Sequence, residues 1–248
     1  MRPNALKRAS RLHIHEDLHG QTQFLDHRRF GVRGHHHFCH GGLRGRLVAL
    51  GCELLQLGAM ITPPTAPSPL PVAFAASDAG DWIIDRVDAV IGECLPLAAR
   101  LQVLEGAASP PSHAVWTLRG VTSNARYTHR AELDTLAARQ EALRRAEASR
   151  AALIPIRKSA AWWALGQDER RAIFEEQSRH IRIGLDYLPA VARRLHHSRD
   201  LGEPFDFLTW FEFAPEHEAA FDQMVVRLRA TREWDYIERE VDIRLRRP

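Results

Sequence analysis

The residue types that can do chemistry in this chain gather between Ile154 and Glu212. This stretch holds His180 inside a helical pattern, Arg193 thirteen residues further on, the adjacent Trp162 and Trp163 upstream, and the aromatic run FDFLTWFEF at its end. No P-loop, nucleophile elbow or metal-ligand cluster occurs in the 248 residues. One histidine, one arginine and abundant apolar and aromatic surface suit a cofactor that carries its own reactive centre, and haem is the candidate.

Spacing alone leaves blander readings open. His180, with Ile173, Phe174 and Ile181 as apolar neighbours, also fits a structural histidine with satisfied hydrogen bonds. Arg193 fits a surface charge, Trp162 and Trp163 fit a core, and Lys158 fits a solvated side chain. Thirteen residues of straight helix rise about 20 Å, so His180 and Arg193 cannot address one ligand from a single straight helix. Pro189 lies between them, removes a backbone donor and clashes with the preceding turn, and so lets the chain turn and the pair approach a flat cofactor from opposite sides.

Around these residues the periodicities place short elements. Asp81–Gly92 reads as a strand or an amphipathic segment, 98–104 as mixed and apolar, and 114–122 as an alternating strand. Tyr127–Arg139 reads as helix and 151–158 as strand. Residues 167–194 read as helix broken at Pro189, and 205–213 as an aromatic strand. A helix over 216–230 starts behind Pro215 with a stripe of Phe221, Met224, Val225 and Leu228. In the last strand, 236–245, Ile237, Val241, Ile243 and Leu245 alternate with charges. The order β-α-β-α-α-β-α-β implies an α+β fold of ferredoxin-like type, an antiparallel sheet covered by helices on one face. FDFLTWFEF is apolar at nearly every position and must be buried on both sides, with a cofactor or second subunit supplying the missing cover.

Composition bounds the rest. A hydrophobic fraction of 45% supports a substantial core. No run of 18 apolar residues exists, so no membrane-spanning helix is expected. The formal charge of +3 is lopsided: residues 1–59 hold nine Lys/Arg against four Asp/Glu, the remainder 25 against 27. The slightly acidic body gives no electrostatic reason to expect nucleic acid. Three widely spaced cysteines, Cys39, Cys52 and Cys94, form no disulfide framework, and the lack of a C-x-x-C-H motif excludes covalently attached c-type haem. Residues 1–59 carry eight of the fourteen histidines without helical or strand period. They read as a disordered extension or a start placed too far upstream, with Met60 an alternative start, in preference to a metal site built on His35, His36, His37, Cys39 and His40. Residues 47–60 make a poor secretory signal, because Glu53 interrupts the apolar run and the basic region before it is too long, so a cytoplasmic location is expected. Residues 60–75, rich in Pro, read as an extended linker, with the folded domain over 76–248.

From Trp82 to Arg246 the chain resembles the chlorite dismutase family, in particular its short-chain, dimeric branch. The strings that carry the resemblance are WTLRGVTSNARYT (116–128), LIPIRKSAAWW (153–163), the spacing of His180 to Arg193, RRLHHSRDLGEPFDFLTWFEF (193–213) and LRATREWDYIEREVDIRL (228–245). The resemblance implies a ferredoxin-like α/β barrel, a homodimer, and non-covalent haem b that turns the small anion chlorite into chloride and dioxygen, a detoxification. Position by position it implies His180 as the proximal iron ligand, Arg193 as the distal arginine and Glu233 as the carboxylate on the proximal imidazole. Lys158, Trp162 and Tyr127 are implied at the haem edge and propionates, and Phe211 on the distal apolar side. In such a site oxygen-atom transfer to iron leaves hypochlorite, which a guanidinium in a tight apolar pocket retains until the O–O bond forms. Coproheme decarboxylases share the superfamily and use a tyrosine radical. Arg193 favours chlorite chemistry over that alternative, Tyr127 keeps it open, and a haem-binding protein of the same fold without turnover is the third reading.

Overall fold

Eight strands alternate inward-facing apolar side chains with outward-facing ones and close on themselves. The computed structural model describes residues 69–106, 109–122 and 126–248. The histidine-rich extension, the alternative start at Met60 and the first part of the proline-rich segment lie outside the described residues. The strands are β1 (Pro71–Ser77), β2 (Trp82–Ile91), β3 (Arg100–Glu105), β4 (Trp116–Thr122), β5 (Arg150–Lys158), β6 (Ala192–His197), β7 (Phe207–Phe213) and β8 (Ile237–Arg246). They form a closed barrel in the order β1-β3-β2-β8-β5-β7-β6-β4, with antiparallel pairing throughout and β4 returning to β1.

The interior is a layer of alternate residues. Val72 and Phe74 of β1, Leu118 of β4, Leu153 of β5, Leu208 and Trp210 of β7, and Val241, Ile243 and Leu245 of β8 pack there and are all but fully buried. The opposite face of β5 and β7 is apolar too. Ile154, Phe211 and Phe213 meet Phe221, Met224, Val225 and Leu228 of helix α5 (Glu218–Arg229) and Ile183 of helix α4 (His180–Leu185). This double coverage explains FDFLTWFEF: Leu208 and Trp210 fill the barrel while Phe211 and Phe213 sit under helices. Helices α1 (Arg130–Arg139), α2 (Ala160–Ala164) and α3 (Gln167–Arg171) complete the helical set.

The structure departs from the sequence reading in three places. Residues 71–75, expected as linker, form most of β1, because PVAFAAS offers Val72 and Phe74 to the barrel and six of its seven residues are buried. Arg193, expected within a helical stretch, lies on strand β6. The helix over 167–194 breaks well before Pro189: α3 runs into a π-helical turn, Ala172–Gln177, and α4 begins afresh at His180 after Arg179 adopts the left-handed conformation, φ 54°. The charges that alternate with the apolar residues of β8 include buried Glu240, Asp242 and Arg244, which lie on the face covered by α5 and neutralise one another with Arg229.

Candidate functional site

Outside the barrel, between the β5-β7-β6 face and the helices, lies a cavity of about 390 Å³. That is within the usual range of roughly 300–1,000 Å³ for small-molecule sites. Strand register places its floor: Ile154 pairs with Thr209 and Ile156 with Phe207 across β5 and β7, and Arg193 with Phe211, Leu195 with Thr209 and His197 with Phe207 across β7 and β6. Because side chains alternate along a strand, all of these point to one face. All seven residues singled out from the sequence line this cavity.

His180 opens α4 at the cavity wall, and its Nδ1 is 2.6 Å from Glu233 Oε2. Glu233 sits in a 3-10 turn, Arg232–Tyr236, immediately before β8, and is 4% exposed. Its other oxygen, Oε1, accepts from Lys158 Nζ at 2.6 Å. Burial alone would raise the Glu233 carboxyl, but the charges of Lys158 and His180 and their hydrogen bonds prevail and hold it down at about 2. The carboxylate is therefore an anion fixed between two donors. With Nδ1 engaged, the imidazole has its remaining nitrogen free to ligate a metal, and a carboxylate partner makes it a stronger donor. The ring of Phe174 stacks on it at 4.4 Å and 23°.

Lys158 ends β5, is 5% exposed, and also lies over the Trp162 ring at 4.3 Å. Trp162, in α2, packs edge-on against Tyr127. The Trp162 indole N–H, the Tyr127 hydroxyl and His197 Nε2 are buried at the cavity wall without a hydrogen-bond partner among the described residues. Tyr127 also has a positive φ of 59°, and its carbonyl accepts from Arg171. Buried polar atoms seldom go unpaired, so this set of donors around an apolar space fits a ligand bearing carboxylates.

Arg193 faces the cavity from β6. Its guanidinium carbon would lie 3.8 Å from a Cβ built on Gly184, one turn beyond His180 on α4. It makes no ion pair among the described residues, and burial alone lowers its pKa. Nearby Phe211 is 6% exposed and packs edge-on against Phe221.

The donor set fits haem. Among the described residues no three His, Cys, Asp or Glu side chains converge to hold a metal ion, so a single histidine suits a metal whose other ligands come with the cofactor. The apolar walls suit a porphyrin and the orphaned donors suit its propionates. Sequence reasoning missed His197, Trp234 and Glu240, which also line the cavity, as does Phe174, named from the sequence only as an apolar neighbour of His180. His197 was hidden in a strand that does not alternate apolar with polar residues.

Comparison with known proteins gives one consistent result. The chlorite dismutase family model matches residues 97–246. A chlorite dismutase of Ideonella dechloratans is 38% identical over 60 residues, 24% of this chain, which spans in that match only 20% of the relative's length. A crystal structure of dimeric chlorite dismutases from Nitrobacter winogradskyi is 58% identical, covers 71% of this chain and 99% of its own, and superposes with a TM-score of 0.66. A mutant chlorite dismutase from Candidatus Nitrospira defluvii, 21% identical over 72% of this chain and 91% of its own, shares the fold with a TM-score of 0.54.

Proposed function

The chain belongs to the chlorite dismutase family, and from that premise we propose that its cavity holds haem b and converts chlorite to chloride and dioxygen. The observation that carries this reading is the pairing of opposites across one apolar cavity: a carboxylate-bound imidazole on α4 and, on β6, a buried arginine that makes no ion pair among the described residues.

His180 would hold the iron, and bound haem would supply the oxygen-transfer and redox chemistry that no side chain here can. Glu233 keeps the imidazole oriented and electron-rich, and Lys158 keeps Glu233 ionised. Tyr127, Trp162 and Lys158 would hold the carboxylate edge of the cofactor.

Arg193 does the work on the substrate side. Its fixed charge, which no carboxylate neutralises among the described residues, draws a monoanion into a low-dielectric space. The reaction rearranges one chlorite ion into chloride and dioxygen, so atoms and charge balance without an external electron or proton donor. What the pocket must do is keep the chlorine oxyanion beside the reacting centre until the O–O bond is made. A guanidinium over apolar walls of Leu195 and Phe211 does this by charge and by exclusion of water. A homodimer is part of the same reading, supported by the dimeric relative.

The test is dioxygen release from chlorite by the purified, haem-loaded chain, alongside His180→Ala and Arg193→Ala. We expect a Soret band and oxygen release from the parent chain, loss of stable haem in His180→Ala, and retained haem with collapsed turnover in Arg193→Ala. Haem retention with an unaltered spectrum in His180→Ala would refute the ligand assignment.

A further inference from the structure

His180 is separated from Ser178 by two positions, which in a continuous α-helix would put them about 200° apart around the axis. Here both meet the same residue. Ser178, 3% exposed, accepts the backbone N–H of Glu233 through its Oγ at 2.9 Å, while His180 Nδ1 donates to the Glu233 carboxylate at 2.6 Å. The convergence comes from Arg179, an exposed residue in the left-handed region at φ 54°, ψ 36°, which ends the π-helical turn and starts α4 in a new direction. Glu175, in that π-helical turn, steadies the restart, its carboxylate accepting from Ile181 N at 2.6 Å and Arg182 N at 3.3 Å.

Resting on the reading that the cavity holds haem, we propose that Ser178 is a positioning residue for the proximal imidazole, acting through Glu233, and that the left-handed turn at Arg179 is the device that lets it do so. The Glu233 side chain has rotatable bonds between its backbone and its carboxylate. Lys158 fixes one oxygen, but the carboxylate is aimed only if the backbone beneath it is also fixed, and the Ser178 hydroxyl supplies that anchor. Without it the turn before β8 can shift and the bond to Nδ1 lengthens. The imidazole then loses donor strength even though every group that touches it is still present.

The experiment uses the full chain loaded with haem b and reads the iron–imidazole stretching band of the ferrous form together with haem affinity by titration. Ser178→Ala is expected to move the band to lower frequency, toward that of Glu233→Gln, and to weaken haem binding about 10-fold, the low end for loss of an outer-shell partner. Ser178→Thr, which keeps the hydroxyl, is expected to keep the parent band. In the Glu233→Gln background, Ser178→Ala is expected to add no further shift. Because Arg179 is exposed, Arg179→Gly and Arg179→Val test the turn without disturbing packing: glycine adopts the left-handed conformation freely and keeps the band, whereas β-branched valine resists it and shifts the band as Ser178→Ala does. An unchanged band in Ser178→Ala, or an equal shift in the Glu233→Gln background, overturns the positioning role while leaving the haem reading intact. A parent chain that takes up no haem overturns both.

Discussion

Strand β6 presents the same two residue types to two different cavities. Arg193, Leu195 and His197 face the helix-covered cavity outside the barrel, while Arg194 and His196 face a second space of about 300 Å³ inside it. On the inner side the charges are answered within the protein. Glu105 takes both Arg194, at 2.5 Å, and Arg144, at 2.9 Å. Glu212 takes the Arg144 backbone N–H and the Trp210 indole N–H. His196 Nδ1 is 3.0 Å from the Leu208 carbonyl. On the outer side Arg193 has no carboxylate among the described residues, and the His197 ring packs edge-on against Phe207 at 5.0 Å, its Nε2 unpartnered among the described residues as is that of His196. Composition does not separate the two faces, since each has an arginine and a buried histidine. What separates them is whether the fold neutralises its own charges, and the face that leaves them unanswered is the one equipped for an anionic ligand.

The sharpest way to break this comparison is to remove the two arginines one at a time. Arg193→Ala is expected to lower kcat/KM for chlorite-dependent dioxygen release by roughly 10²–10³-fold, the range for losing one preorganised charge-stabilising donor. Arg194→Ala, one residue away, should leave the steady-state rate close to that of the parent chain. Equal losses in the two variants would mean that β6 acts as a unit and that the distinction between its faces is false.

The histidines allow a second test, by pH. Burial pushes both His196 and His197 down to about 4, with the Leu208 carbonyl opposing this at His196 and Arg126 adding to it at His197. A buried neutral histidine binds fewer protons than the unfolded chain between the two pKa values. Its contribution is therefore fully present above about pH 6.5 and is lost as pH falls toward 4. The size is about 3 kcal/mol per histidine at most. Urea unfolding of the haem-free chain should accordingly lose stability between pH 6.5 and 4. His196→Phe should flatten part of that slope without affecting oxygen release. Replacing His197 should flatten it too, but should also alter haem affinity, because its Nε2 faces the ligand cavity. A slope unchanged in both variants would remove the histidines from the account of acid sensitivity.

How much of this was legible beforehand depends on what each strand faces. Strands β5, β7 and β8 could be read because their inner residues, Leu153, Trp210 and Ile243 among them, are apolar and regularly spaced. Strand β6 could not: ARRLHH meets a polar cavity on one side and a ligand cavity on the other, so neither face carries an apolar period. Arg193 was consequently placed on a helix although its association with His180 was anticipated. The burial of the β8 charges is not legible in the sequence for a related reason. Alternation shows that Glu240, Asp242 and Arg244 share a face, but only α5, with Arg229 reaching across, makes that face an interior. The seven residues that line the cavity together come from the family's strings, whereas Ser178 and Arg179 do not, since a left-handed turn at an arginine leaves no mark in composition. Residues 71–75, at the described end of the proline-rich segment, are extended but not free, because Val72 and Phe74 give them a side to bury.

The smallest expected effect concerns the inner face alone. Arg194 and Glu105 are 2.5 Å apart, with side chains 32% and 26% exposed, so solvent screens the pair and limits its worth to about 1 kcal/mol. Glu105 keeps Arg144 when Arg194 is lost, so Arg194→Ala leaves no carboxylate stranded. Glu105→Ala differs: it frees two arginines at once beside the cavity that holds His196. We therefore expect Glu105→Ala to destabilise the chain more than Arg194→Ala in urea unfolding, with the gap narrowing as salt is raised, and with haem affinity unchanged in both. The salt dependence is the informative part. Self-neutralisation is an electrostatic property, and if the inner face is held by it, screening must weaken it. A gap indifferent to salt would mean that these side chains are held by packing of their stems, as Arg247 packs on Trp82 at 4.6 Å, and the contrast between the faces would then rest on Arg193 alone.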